Sequence, residues 1–224
     1  MSVGRNGTIR SVGDQSETKD AIRRQMRARR KALTGDERER ASKIVCDKLV
    51  RDGEIASKVD SSGHGGQIAV YLASQDEIDL SDFIREMLRR GVNVVAPRWN
   101  GETYEPAKMK SLSKGDLRRG PMNILEPAEA ELVNPADIAV WIIPGLAFTN
   151  DGKRLGYGGG WYDRLLASAY TGSLKIGIAH GFQVVEDLPY EPHDIRLDRI
   201  VTTDTQTTII NLSCLRLLAS QPDG

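Results

Sequence analysis

The segment Arg154-Leu155-Gly156-Tyr157-Gly158-Gly159-Gly160-Trp161-Tyr162-Asp163-Arg164 places four glycines within five residues, between an arginine and an aspartate. Glycine permits positive φ and lets a backbone come close to a ligand. Successive N–H groups leading into a helix make an anion site suited to phosphate. Arg154 can clamp phosphate oxygens bidentately. Asp163 falls in the first turn of the helix expected to follow, where a carboxylate beside phosphates can hold Mg²⁺. A merely flexible loop is the alternative, but Tyr157, Trp161 and Tyr162 are not linker residues. Two known phosphate motifs fail on spacing. There is no Gly-Lys-Ser/Thr, as a P-loop needs. A dinucleotide fingerprint follows its strand directly, whereas about a dozen residues separate a strand end at Ile143 from Gly156.

Other groups could serve the same chemistry. Lys19, Arg23, Arg27 and Arg30 fall on one helical arc beside the apolar arc of Ile22, Met26 and Leu33. They rim whatever that helix packs on, so Lys19 and Arg23 can meet phosphate; a solvated cationic face is the alternative. Ser74-Gln75-Asp76-Glu77 follows an expected strand, and Glu77 can accept from an amine-rich ring, bind metal, or simply carry charge before a helix. His193-Asp194 and Asp198 precede the last strand, and Asp194 could reach a metal. His64 and His180 have no partner pattern. There is no Ser-His-Asp or Cys-His arrangement, so no covalent nucleophile is expected.

These groups need a scaffold. Residues 1–17 are polar and aperiodic and are expected to form a flexible tail, leaving 18–224 as one α/β domain. A helix is expected from near Thr18. Thr34-Gly35-Asp36-Glu37 has capping-box spacing and should open a second helix facing inward through Ala41, Ile44, Val45 and Leu49. Residues 52–66 read as a surface loop. Strands are expected at Gln67–Leu72, at Val92–Ala96 with Pro97 as its stop, and at Asp137–Ile143. Two more should follow at Lys175–Ala179 and Arg199–Thr203. Helices should span Ser81–Arg90 and Trp161–Ser168, with a last helical turn near Cys214–Leu218. Residues 100–135 are irregular, with short pieces near 111–117 and 123–125. The alternation predicts a mostly parallel sheet flanked by helices, with ligands at the carboxyl ends of the strands. That rule selects Ala73–Glu77, Pro97–Asn100 and the loop after Pro144.

Bulk properties narrow the class. The 224 residues are 39% hydrophobic and 28% charged, with 31 basic and 31 acidic side chains, so net charge gives no push toward nucleic acid or a membrane. Two cysteines, Cys46 and Cys214, argue against a disulfide framework or a zinc site. No apolar run reaches the ~18 residues of a membrane span. A cytoplasmic monomer without nucleic-acid or membrane partners is expected.

Several segments in register resemble the 5-formyltetrahydrofolate cyclo-ligase (5,10-methenyltetrahydrofolate synthetase) family. The long segment is Pro144–Phe148, Asp151-Gly152 and Arg154–Arg164. Lys19-x2-Ile22-Arg23, Tyr71–Ile78, Pro97-Arg98, Ile124-x-Glu126-Pro127 and His193-Asp194-x3-Asp198 follow the family's order across residues 19–204. The resemblance implies a three-layer α/β/α sandwich, similar to sugar-phosphate isomerases and CoA transferases. It implies ATP- and Mg²⁺-dependent conversion of 5-formyltetrahydrofolate to 5,10-methenyltetrahydrofolate, with release of ADP and phosphate. Lys19, Asp20, Ala21, Ile22 and Arg23 would bind ATP, as would Arg154, Leu155, Gly156, Tyr157, Gly158, Gly159, Gly160, Trp161 and Tyr162. Leu72, Glu77 and Tyr157–Trp161 would bind folate, Asp163 and Asp194 would hold Mg²⁺, and Arg154 and Tyr162 would be catalytic. Trp161 replaces the family's usual tyrosine and removes a hydroxyl. A folate- or nucleotide-binding regulator without turnover, or a sugar-phosphate isomerase, are the competing readings.

Overall fold

The computed structural model describes residues 12–61, 66–74, 76–191 and 193–204. Among the described residues five α-helices form: α1 (Val12–Lys31), α2 (Gly35–Val50), α3 (Gly53–Ser61), α4 (Ser81–Arg89) and α5 (Trp161–Ala167). Six strands make the main sheet: β1 (Gln67–Ala69), β2 (Val94–Trp99), β3 (Tyr104–Lys108), β6 (Ile138–Ile143), β9 (Leu174–Ala179) and β11 (Arg199–Thr202). The remaining strands are β4 (Leu117–Arg119), β5 (Leu125–Pro127), β7 (Ala147–Thr149), β8 (Arg154–Leu155) and β10 (Val184–Val185).

The main sheet runs β11-β9-β6-β1-β2-β3, parallel throughout except for the β2–β3 edge pair. Strand β6, IAVWII, is apolar and fully buried, as a central parallel strand covered on both faces must be. Its alternate side chains feed two cores. Val140 and Ile142 pack with Val45 and Leu49 of α2, Ile55 of α3, and Phe83 and Met87 of α4. Trp141 and Ile143 pack on the opposite face with Leu165 and Leu166 of α5. The result is an α/β architecture with helices on both faces of a mostly parallel sheet.

Helix α1 belongs to neither core. Its Ile22 and Met26 sit on Leu146, Ala147 and Leu155, beside the small sheet β10-β7-β8. The apolar arc read in the sequence therefore docks α1 on the lead-in to the glycine loop.

Several expected boundaries move. Helix α1 begins at Val12 instead of Thr18, so residues 12–17 are helical and not part of a structureless tail. The expected loop at 52–66 contains α3, where Asp52 Oδ1 accepts from the N–H groups of Glu54 and Ile55 at 3.0 and 3.1 Å. Strand β2 passes through Pro97, because Pro97 pairs with Pro106 and neither side of that pair has an N–H to supply. Residues 1–11 and the expected turn at Cys214–Leu218 lie outside the described residues.

Candidate active site

The dozen residues between Ile143 and Gly156 are not slack. They form the antiparallel β7–β8 pair, which aims Arg154 back toward the carboxyl end of β6. Gln183 fixes that strand end, its Nε2 donating to the carbonyls of Gly145 at 3.0 Å and Leu146 at 2.9 Å. Beyond Leu155 the chain turns at Gly158 (φ 107°) and Gly160 (φ 62°), values open to glycine but strained for other residues. A Cβ on Gly159 would collide with the Trp161 indole. The loop then enters α5, which carries Tyr162 and Asp163 in its first turn.

Helix α1 lays cations along this loop. Arg23 Nε donates to the Gly156 carbonyl at 3.1 Å, and Arg27 Nη2 to the Tyr157 carbonyl at 3.4 Å. Lys19 Nζ binds Glu191 Oε1 at 2.6 Å and stands 3.8 Å from Asp194 Oδ2. Arg154 is nearly buried, pairs with Asp163 Oδ1 at 2.9 Å, and lies over the Tyr162 ring. The Ile195 N–H reaches Asp163 Oδ1 at 3.5 Å, so the Asp194 backbone adjoins that carboxylate. Asp163 and Asp194 are a donor set that fits Mg²⁺, which favours one or two carboxylates with phosphate oxygens and water. Among the described residues, no cluster of three or more His, Cys, Asp or Glu side chains forms a protein-only metal cage.

The other wall comes from the end of β1. Glu77 Oε2 accepts from the Ser74 N–H at 2.8 Å and the Ser74 hydroxyl at 2.9 Å. Its Oε1 accepts from the Tyr157 hydroxyl. That hydroxyl accepts in turn from Arg30 Nη1 at 2.7 Å. Desolvation and the Glu77 carboxylate push the Tyr157 phenol up, so it stays a proton donor. Burial, then the same carboxylate, pushes the Tyr162 phenol up as well. Trp161 joins Trp99 and Tyr104 in three edge-on contacts with ring centroids 5.1–5.4 Å apart. The indole thus packs edge-on against two other aromatic rings.

Not every expected residue points into this cleft. Leu155 and Leu72 are buried in the cores beneath it, and Ile22 packs under the loop. Asp20 pairs with Arg23 at 2.6 Å and Ala21 is exposed on α1. Asp198 accepts from the Lys175 N–H at 2.9 Å and holds the start of β9. The sequence reading gave no role to Asp76, Glu191, Trp99, Tyr104 or Glu126. Arg30 stood in the cationic arc without a partner, because its partner Asp76 is 46 residues away.

A mostly parallel α/β sheet with a cationic glycine loop and a fixed carboxylate beyond its strand ends defines the class: an α/β protein with a candidate anion site at the carboxyl end of the sheet. A profile of the 5-formyltetrahydrofolate cyclo-ligase family matches residues 15–203. The 5-formyltetrahydrofolate cyclo-ligase of Escherichia coli K12 is 30% identical over 183 residues, covering 79% of this chain and 96% of its own length. The mouse enzyme of that name is 23% identical over 201 residues, covering 85% and 96%. Among solved structures, the Aquifex aeolicus 5,10-methenyltetrahydrofolate synthetase superposes with TM-score 0.72 at 33% identity, over 86% of this chain and 92% of that one. The chain belongs to the 5-formyltetrahydrofolate cyclo-ligase family and is an enzyme of that family.

Proposed function

We propose that this enzyme converts 5-formyltetrahydrofolate to 5,10-methenyltetrahydrofolate at the expense of ATP, with Mg²⁺. One observation carries the reading: the glycine loop is touched from both sides, by Arg23 of α1 at Gly156 and by Glu77 of the β1 end at Tyr157. One loop thus serves as the common wall of a phosphate pocket and a ring pocket.

Amide oxygen is a poor leaving group. ATP supplies the phosphoryl group that activates the formyl oxygen, after which N10 closes the ring and phosphate departs with ADP as co-product. Lys19, Arg23 and Arg154 bind the phosphates, and the loop N–H groups complete the cradle. Leu155 serves this site only as the floor beneath it. Asp163 and Asp194 would hold Mg²⁺, which would supply screening of phosphate charge. Arg154, paired with Asp163 and lying over the Tyr162 ring, faces the transferring group, and Tyr162 is a neutral hydrogen-bond donor beside it. Glu77 and Tyr157 orient the folate ring. Positioning and electrostatic stabilisation supply the rate, so no protein nucleophile is needed.

The test is direct. Protein, 5-formyltetrahydrofolate and MgATP are mixed, and the methenyl chromophore and ADP are followed together. Equal and folate-dependent appearance of both supports the reading; no folate-dependent ADP overturns it.

A further inference from the structure

Arg30 is a buried cation that the proposed reaction does not use. It is 2% exposed and lies eleven residues along α1 from Lys19, a rise of roughly 16 Å. Its Nη2 binds Asp76 Oδ1 at 2.7 Å and its Nη1 donates to the Tyr157 hydroxyl at 2.7 Å. Its Nε is buried with no hydrogen-bond partner. Burying a guanidinium with an orphaned donor opposes folding, and a well-packed apolar side chain would serve the core better. The geometry around Tyr157 supplies a reason for the charge.

A phenol hydroxyl has one proton. Because Tyr157 Oη accepts from Arg30, its own proton points away, and the group in contact there is Glu77 Oε1. The other Glu77 oxygen is held by the N–H and hydroxyl of Ser74. The carboxylate is therefore fixed at both oxygens: Oε2 spends both acceptor sites on Ser74, and Oε1 keeps one open beside Tyr157. A carboxylate locked in plane, with one acceptor site open on Oε1, is ready to accept from an N–H on the polar edge that a reduced pterin ring presents. Left free, it would lose rotamer entropy whenever such a ring bound.

We propose that Arg30 is a positioning residue for the folate ring: acting through the Tyr157 hydroxyl, it sets the orientation of the Glu77 carboxylate. The inference rests on the cyclo-ligase reading above and adds a residue to it. Arg30 touches neither the phosphates nor the reacting carbon. Its loss raises the KM for folate and leaves the chemical step and the nucleotide alone.

Four variants test it: Arg30→Met, Arg30→Lys, Tyr157→Phe and the double variant Arg30→Met/Tyr157→Phe. Each is assayed with folate varied at saturating MgATP and with ATP varied at saturating folate, alongside thermal unfolding. Arg30→Met is expected to raise the folate KM about tenfold, the loss of one charge-assisted link, with kcat and the ATP KM within about threefold. Tyr157→Phe moves the same way, and the double variant is no worse than the poorer single one, because both break one chain of contacts. Arg30→Lys recovers part of the loss. A purely structural arginine would instead lower the melting temperature of Arg30→Met and leave the folate KM at the parental value, which overturns the inference. So do an equal rise in both KM values and additive single effects. Should Arg30→Met not fold, Arg30→Lys and Tyr157→Phe decide: parental folate KM in both overturns it, and a selective rise in both upholds it. A parent without cyclo-ligase turnover defeats the functional reading itself, a distinct result.

Discussion

Arg154 is the side chain on which the proposed phosphate pocket turns. It is almost buried, sits over Tyr162 and pairs with Asp163. Removing it should cost nucleotide affinity more than folate affinity. Arg154→Ala is expected to weaken ATP by about tenfold to a hundredfold, the value of a charge-assisted contact, with folate affinity changed by less. Calorimetric titration with each ligand reads both, and equal ATP affinity in variant and parent would remove Arg154 from the phosphate pocket. Glu126 gives a second case. It is 2% exposed, accepts from the Trp99 N–H at 3.0 Å and meets Arg118 Nη2 at 2.6 Å. Glu126→Leu should destabilise the fold by about 1–3 kcal/mol, since it leaves the Trp99 N–H without its acceptor, while half-exposed Arg118 keeps the Trp99 carbonyl at 2.8 Å. Urea unfolding measures it. The candidate segment Arg154 to Asp163 could be singled out in the sequence because glycine spacing and charge are local signals. Asp76, Glu126 and the Trp99–Tyr104–Trp161 cluster were not, because their partners meet only after the sheet has formed.

At the scale of elements, the capping box at Thr34 was read correctly, whereas Leu80, with no side-chain cap, and not Ser81 stands at the N-cap of α4. Thr34 caps α2, its hydroxyl accepting from the Glu37 N–H at 3.2 Å while Glu37 Oε2 accepts from the Thr34 N–H at 2.8 Å. Thr34→Ala should lower stability by about 1 kcal/mol without touching catalysis; an unchanged urea midpoint would contradict that. The five parallel strands were all placed, because a strand buried on both faces is a continuous apolar run. Helix α3 was not, because Asp52 caps it from within a stretch of Ser and Gly. Nor were β7, β8 and β10, each two or three residues long and stabilised by pairing, not by pattern. The β7–β8 pair matters most of these, because it delivers Arg154 to the strand ends.

For the molecule as a whole, the segments selected by the rule that ligands sit at the carboxyl ends of parallel strands do meet: Glu77 contacts Tyr157 of the glycine loop, and Trp99 contacts Trp161. His180 lies at the end of β9 in that region, 5% exposed and stacked on Phe182. Burial, reinforced by the Arg30 charge, drives its imidazole down to about 4. The unfolded chain takes up that proton near pH 6.5. The stability belonging to the neutral ring is therefore complete above pH ~6.5 and is lost as pH falls through 4, about 3 kcal/mol over the window. Urea midpoints from pH 7 to pH 4 should fall more steeply in the parent than in His180→Asn; parallel slopes would contradict the assignment. Cys46 is closed in the core, its thiol pushed up to about 11 by burial. Alkylation at pH 8 followed by peptide mass analysis should leave it unmodified in the folded protein and label it in urea.

The docking of α1 has a kinetic consequence. The helix rests on a small cluster of its own, through Ile22 and Met26, apart from both main cores. Its amides can therefore exchange with solvent deuterium by local opening, without global unfolding. Yet Lys19 and Arg23 on that helix belong to the phosphate pocket proposed above. Nucleotide at a hundredfold excess over its dissociation constant would then slow α1 exchange by about a hundredfold, while β6, which opens only when the whole chain does, gains no more than its share of the global stabilisation. The terminal helix becomes a clasp whose closing rate, and not only its chemistry, belongs to the substrate.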